Sequence, residues 1–133
     1  MTKTPSKVET ATSRGQQAED VALAWLQRAG LKLLQRNFKT PGQGGGEIDL
    51  IMLEPDGTVV FVEVRRRGRM HHGGAAASVD RRKQARLIWA ARFYLARLRE
   101  PPPCRFDVVT FDGDWRQEQH PAPQWLRAAF DAA

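Results

Sequence analysis

A single cysteine, Cys104, among 133 residues excludes an intrachain disulfide and a cysteine-built zinc cluster. No neighbour in sequence would activate its thiol, so it reads as a small core or strand-edge residue. Long apolar runs are also missing: none approaches the roughly 18 residues that a membrane-spanning helix needs. The opening MTKTPSKVETATSRG has no apolar segment. A secretory signal is therefore not expected, and the expected location is cytoplasmic. The glycine-rich stretch GQGGGE lacks the Lys-Ser/Thr of a phosphate-binding P-loop and precedes a strand rather than a helix. It reads as a flexible connector that exposes the strand after it.

Acids are the scarcer charge, with Asp+Glu 15 against Lys+Arg 21 and a formal net charge of +6. The excess is local. Between Arg65 and Arg99 there are eleven basic residues and one acid, Asp80, a local charge of +10 that leaves −4 for the remainder. A basic block on a mildly acidic body points to a polyanionic partner, nucleic acid ahead of a membrane surface. The plainer alternative is a solvated charged face. Arginine supplies 16 of the 21 cations, and its planar, permanently charged fork suits phosphate.

Residues 1–13 are polar and aperiodic and read as a flexible tail, which leaves 14–133 as one domain. From Gly15 to Ala29, the residues Ala18, Val21, Ala22, Trp25, Leu26 and Ala29 recur at helical spacing, with Gly30 as a stop. Strands are predicted at Leu31–Phe38, Glu47–Leu53, Thr58–Arg65 and Arg105–Phe111, with EPDG as the turn between the second and third. Residues 66–77 read as a loop. Val79–Leu98 reads as the longest helix, with Ser78 as its N-cap and an apolar arc of Leu87, Ile88, Ala91, Tyr94, Leu95 and Leu98. A short amphipathic turn or helix near Gln124–Asp131 closes the chain. The order αβββαβα indicates an α/β sandwich.

The two middle strands carry acids where a buried strand should not. Glu47, Asp49, Ile51 and Leu53 share one face by alternation, as do Val59, Phe61, Glu63 and Arg65. If the EPDG turn sets Leu53 opposite Val59, position 49 stands opposite 63 and the two carboxylates are neighbours; a one-residue slip would separate them. Adjacent carboxylates repel unless a cation resolves the conflict, and Mg²⁺ is a hard ion that takes one or two carboxylates plus water and phosphate oxygens. Glu19, at the edge of the first helix's apolar arc, is placed to add a third carboxylate. Its plain alternative is an ordinary surface glutamate.

Asp49 followed by Glu63-Val64-Arg65 on the next strand resembles the PD-(D/E)XK nuclease signature. GGGEIDLI (44–51), VVFVEVRRR (59–67), ASVDRRK (77–83) and RFDVV (105–109), with RGQQAED (14–20) and RNF (36–38), resemble the YraN-like family of bacterial proteins, which is similar in pattern to archaeal Holliday junction resolvases. The resemblance covers about residues 14–130. It implies a restriction endonuclease-like three-layer sandwich, a central mixed β-sheet flanked by helices. It further implies that Glu19, Asp49 and Glu63, with the backbone carbonyl of Val64, hold Mg²⁺ or Mn²⁺. Where the family usually has lysine this chain has Arg65, which cannot act as a general base but can orient water or steady phosphoryl charge. Lys83 on the following helix is the nearest lysine to stand in.

The leading expectation is thus a Mg²⁺-dependent nuclease hydrolysing phosphodiester bonds, with DNA as the expected nucleic acid. Glu19, Asp49, Glu63 and Arg65 would be catalytic, while Arg66, Arg67, Arg69, Arg81, Arg82, Lys83 and Arg86 would hold the backbone. Two alternatives stay open: a nucleic-acid-binding module that no longer cuts, marked by the arginine at 65, and a small protein-interaction subunit. Symmetric cutting would favour a homodimer, although no segment is diagnostic of an interface. His71 and His72 would point apart and are not expected to share a metal. Of the four tryptophans, Trp25 and Trp125 read as core, and Trp89 as the best candidate to stack a base. Asp107 is a further acid in a strand.

Overall fold

The computed structural model describes residues 11–42, 45–67, 79–112 and 123–132. Helix α1 (Ala11–Arg28) is followed by β1 (Lys32–Lys39), β2 (Glu47–Leu53), β3 (Val59–Arg67), α2 (Arg81–Leu95), β4 (Cys104–Asp112) and β5 (Gln124–Phe130). The strands form one mixed sheet in the order β1-β2-β3-β4-β5. Only β3 and β4 run parallel, because α2 carries the chain back across the sheet between them. One side of the sheet packs Leu50, Met52, Val60, Val62, Val109 and Phe111 against Ala18, Ala22 and Leu26 of α1. The other packs Ile51, Phe61, Phe106 and Val108 against Leu87, Ala90, Ala91 and Tyr94 of α2. This is the three-layer, restriction endonuclease-like sandwich.

Local chemistry fixes the element ends. Gly30, at φ 103°, closes α1 with Leu31 N–H donating to Leu26 C=O at 3.1 Å, while Leu31 buries its side chain under the turn. The EPDG turn is tight: Gly57 N–H donates to Glu54 C=O at 3.0 Å, with Gly57 at φ 95°. Leu53 therefore stands opposite Val59 and Leu50 opposite Val62, the register that makes 49 and 63 neighbours.

Several boundaries differ from expectation. Helix α1 begins at Ala11, inside the segment read as a tail; residues 1–10 lie outside the described residues. Strand β3 continues through Arg66 and Arg67, which therefore belong to the sheet rather than a loop. Helix α2 starts later, and its cap is Asp80, whose carboxylate accepts from Lys83 N–H at 2.8 Å. It also ends earlier, and Leu98 is exposed rather than in the apolar arc. Ser78, Arg69, His71 and His72 lie outside the described residues.

The closing segment is a strand, not a helix, so the order is αβββαββ. A helix of seven residues gains little from propensity alone, and tertiary partners decide. Asp107, buried on β4, accepts from Trp125 Nε1 and from Ala128 N–H, each at 2.9 Å. Phe130 stacks on Phe106 with centroids 4.9 Å apart. Those contacts hold Gln124–Phe130 extended against β4 and force Ala128 to φ 50° beside a register shift.

Candidate functional site

The backbone pairing of β2 with β3 stops at Leu50 and Val62, although both strands continue past that point. Strict alternation also breaks there. Ile48 packs with the α2 side, and Leu50, two residues on, with the α1 side. Asp49 lies at the break and turns its carboxylate into the fork between the strands, where Oδ2 accepts from Val64 N–H at 2.8 Å. A side chain thus satisfies a donor that the ladder would otherwise have bonded. The expectation that Asp49 shares one sheet face with Ile51 and Leu53 is corrected accordingly: Asp49 stands between the faces, reached from both.

Glu63 is its neighbour on β3, with a side chain only 5% exposed. Lys83 Nζ approaches Glu63 Oε1 to 3.6 Å from α2, and Arg65 Nη1 lies 3.8 Å away on the same strand face. Glu63 Oε2 is buried and has no hydrogen-bond partner. Burial first, and the Asp49 charge second, push the Glu63 carboxyl up to about 8 against the pull of Lys83 and Arg65. Burial also raises Asp49, opposed chiefly by the Val64 N–H and by Lys83.

Glu19 reaches the same fork from α1. Its carboxyl is raised by burial and then by Asp49, with Arg36 opposing. Arg36 Nη2 stands 3.6 Å from Glu19 Oε1 and 2.7 Å from Asp20 Oδ1. With its amide turned to satisfy both carboxylates, Asn37 donates to Glu19 Oε1 at 3.1 Å and to Glu47 Oε1 at 3.3 Å. Asn37 holds φ 52°, a strained conformation that asparagine tolerates better than most residues. Among the described residues, no three His, Cys, Asp or Glu side chains stand close enough to hold a metal ion unaided. Glu19 and Glu47 form an outer ring around the Asp49–Glu63 pair.

The structure therefore brings together Glu19, Asp49, Glu63, Val64 and Arg65, and adds Lys83, which leaves the basic helix face to join the carboxylates. Arg81, Arg82 and Arg86 are exposed on α2, and Arg66 is exposed on β3. Sequence reading missed Arg36, Asn37 and Glu47 as parts of the site. The RNF motif at 36–38 was the available signal. It also misread the glycine stretch. A Cβ on Gly46 would stand 2.2 Å from the Arg86 carbonyl oxygen, and one on Gly45 would be 2.1 Å from Thr40 Oγ1. These glycines are closely packed against α2 and β1 rather than a free connector, and Gly46 C=O accepts from Thr40 N–H at 3.1 Å.

Comparison with known proteins agrees with this architecture. The family model described as uncharacterised protein family UPF0102 matches residues 18–111, from within α1 through nearly all of β4. A UPF0102 protein of Albidiferax ferrireducens is 61% identical over 96% of this chain and 94% of its own length. Those of Verminephrobacter eiseniae and Paracidovorax citrulli are 58% and 57% identical, each over 92% of this chain and over 81% and 86% of their own lengths. No helix among the described residues is long and apolar enough to cross a membrane.

Proposed function

From the premise that the chain belongs to the uncharacterised protein family UPF0102, the YraN family, we propose that it is a metal-dependent nuclease that hydrolyses phosphodiester bonds, with DNA as substrate. The observation that carries this reading is the Asp49–Glu63 pair. The buried Glu63 carboxyl is held beside the partly buried Asp49, and its Oε2 makes no hydrogen bond. An unpartnered buried oxygen costs free energy unless something completes it. The donor set is all hard oxygen and fits Mg²⁺ or Mn²⁺. Asp49, Glu63 and the Val64 carbonyl would hold the ion, with water and substrate phosphate completing it and Glu19 acting through water. Such an ion supplies Lewis-acid polarisation of the scissile phosphate and a more acidic water.

The chain's own groups divide the remaining work. Val64 N–H fixes Asp49 at 2.8 Å, so that carboxylate needs no reorganisation on binding. Lys83, 3.6 Å from Glu63, takes the part that the resemblance gives to a lysine, although it arrives from α2 rather than from β3. Its ammonium orients the attacking water or protonates the leaving oxygen. Arg65 remains charged and steadies phosphoryl oxygens. The exposed arginines of α2 and Arg66 hold flanking phosphates, which gives affinity without sequence information.

The test incubates wild type, Asp49→Asn and Lys83→Met with linear, single-stranded and branched DNA in Mg²⁺, Mn²⁺ or EDTA. Metal-dependent cutting by wild type, abolished by Asp49→Asn and reduced roughly a hundredfold or more by Lys83→Met, is expected. Arg65 favours a second reading, a binding module that has lost cutting; retained binding with no cleavage under any metal would move the assignment there. Absence of nucleic-acid binding at low salt would leave a protein-interaction role.

A further inference from the structure

Helix α2 presents two different rows. Lys83 turns inward to Glu63, whereas Arg82, Arg86, Trp89 and Phe93 follow one another at spacings of four, three and four residues and form a single outward stripe. Arg82 and Arg86 are exposed, Trp89 is 59% exposed and Phe93 is 44% exposed. Trp89 stands mostly in water and Phe93 leans on Phe38 with centroids 6.4 Å apart while keeping its outer side open, so one helix row carries an apolar patch that a solvated face does not require. We propose that this stripe is a binding site for the bases and phosphates of an unpaired nucleic-acid strand, with Trp89 and Phe93 stacking successive bases and Arg82 and Arg86 gripping the phosphates between them and the metal site. The inference rests on the nuclease reading and deepens it, because it names single-stranded or locally opened DNA as the substrate form.

Three observations support that occupant. Between Arg81 and Leu95 the helix carries five cations and no acid, so the patch is complementary to a polyanion. A second copy of the chain docking there about a two-fold axis would set those cations against their own images. The rise of a helix places Trp89 about 9 Å along the axis from Lys83, and Phe93 about 6 Å further, a run that leads a strand away from the carboxylates. Bases in an intact duplex are stacked on one another and offer no face to a ring, so the aromatic half of the stripe discriminates for unpaired bases.

The test measures binding by the full chain, with Ca²⁺ in place of Mg²⁺, to three end-labelled ligands: oligo(dT), an abasic strand with the same backbone, and a blunt duplex. Trp89→Ala should weaken oligo(dT) binding roughly tenfold or more, Trp89→Phe should keep most of it, and neither should alter the abasic strand or duplex. Circular dichroism matching wild type confirms that the variants fold. Unchanged oligo(dT) affinity in Trp89→Ala and Phe93→Ala, with all three ligands weakened by Arg82→Ala, overturns the stacking role while the nuclease reading stands. A wild type that binds none of the three overturns both. A dimer in sedimentation that Trp89→Ala dissociates assigns the patch to a second copy and overturns the proposal.

Discussion

Glu63 lies between Val62 and Val64 on a strand packed on both faces, and its side chain is 5% exposed. A carboxyl there keeps its proton to about pH 8, whereas an unfolded chain releases it near 4.5. Between those values the native state binds more protons than the unfolded state, so stability falls as pH rises. The favourable contribution is complete below pH 4.5 and lost as pH passes about 8. Asp49 and Glu19 are shifted in the same direction and add to the slope. Melting temperatures in EDTA should therefore decline from pH 5 to 8.5 in wild type and decline much less in Glu63→Gln. A slope unchanged in Glu63→Gln would show that this carboxyl does not carry the effect. Asp107 is a buried acid of another kind, filled by Arg105 Nε at 3.0 Å, Trp125 Nε1 and Ala128 N–H. Removing it takes the acceptor from Trp125 Nε1 and Ala128 N–H, while Arg105 keeps Glu54 at 2.7 Å, so Asp107→Ala should cost about 2–3 kcal/mol in urea denaturation. Stability within about 1 kcal/mol of wild type would contradict that account.

At the scale of elements, the close approach of β2 to α2 depends on Gly46. A methyl group there meets the Arg86 carbonyl oxygen at 2.2 Å, which is backbone and cannot swing away. Gly46→Ala should displace the first half of α2, separate Lys83 from Glu63 and cost about 2–4 kcal/mol. Gly15 gives the internal contrast, since it lies in α1 and a Cβ added there would meet nothing within 4 Å. Gly15→Ala should stabilise the chain by about 0.5–1 kcal/mol, through helix propensity alone. Urea midpoints of the two variants moving in opposite directions would check both. The β2–β3 register was legible because a four-residue turn with Gly57 allows few pairings, and the acids flanked by Ile48, Leu50, Val62 and Val64 announced themselves by residue type. The opening of the fork at Asp49 was not legible, because it arises when a side chain replaces a ladder bond. Nor was β5: its Trp125, Leu126 and Phe130 fit a helical arc as well as a bulged strand, and Asp107, far away in sequence, decides between them. Arg36 and Asn37 were hidden for the same reason, since their partners Glu19 and Glu47 come from other elements.

For the whole molecule, charge and site are arranged together. The +10 block opens with Arg65 and continues along α2, and two of its cations, Arg65 and Lys83, stand 3.8 and 3.6 Å from Glu63. Affinity for duplex DNA should fall steeply with salt, and replacing Arg81, Arg82 and Arg86 by alanine should lower the slope of log affinity against log salt by about 2–3. A slope unchanged by the triple replacement would place the contacts elsewhere. The central claim is narrower: the Asp49–Glu63 pair in the fork is a divalent-cation site. Calorimetric titration of Mg²⁺ or Mn²⁺ at pH 7, repeated in buffers of different ionisation enthalpy, tests it most directly, because an ion that binds Glu63 must displace the proton held there. Saturable binding with about one proton released in wild type, and with no proton released in Glu63→Gln, is the expected result. Absence of binding, or binding with the same proton count in Glu63→Gln, would contradict the account.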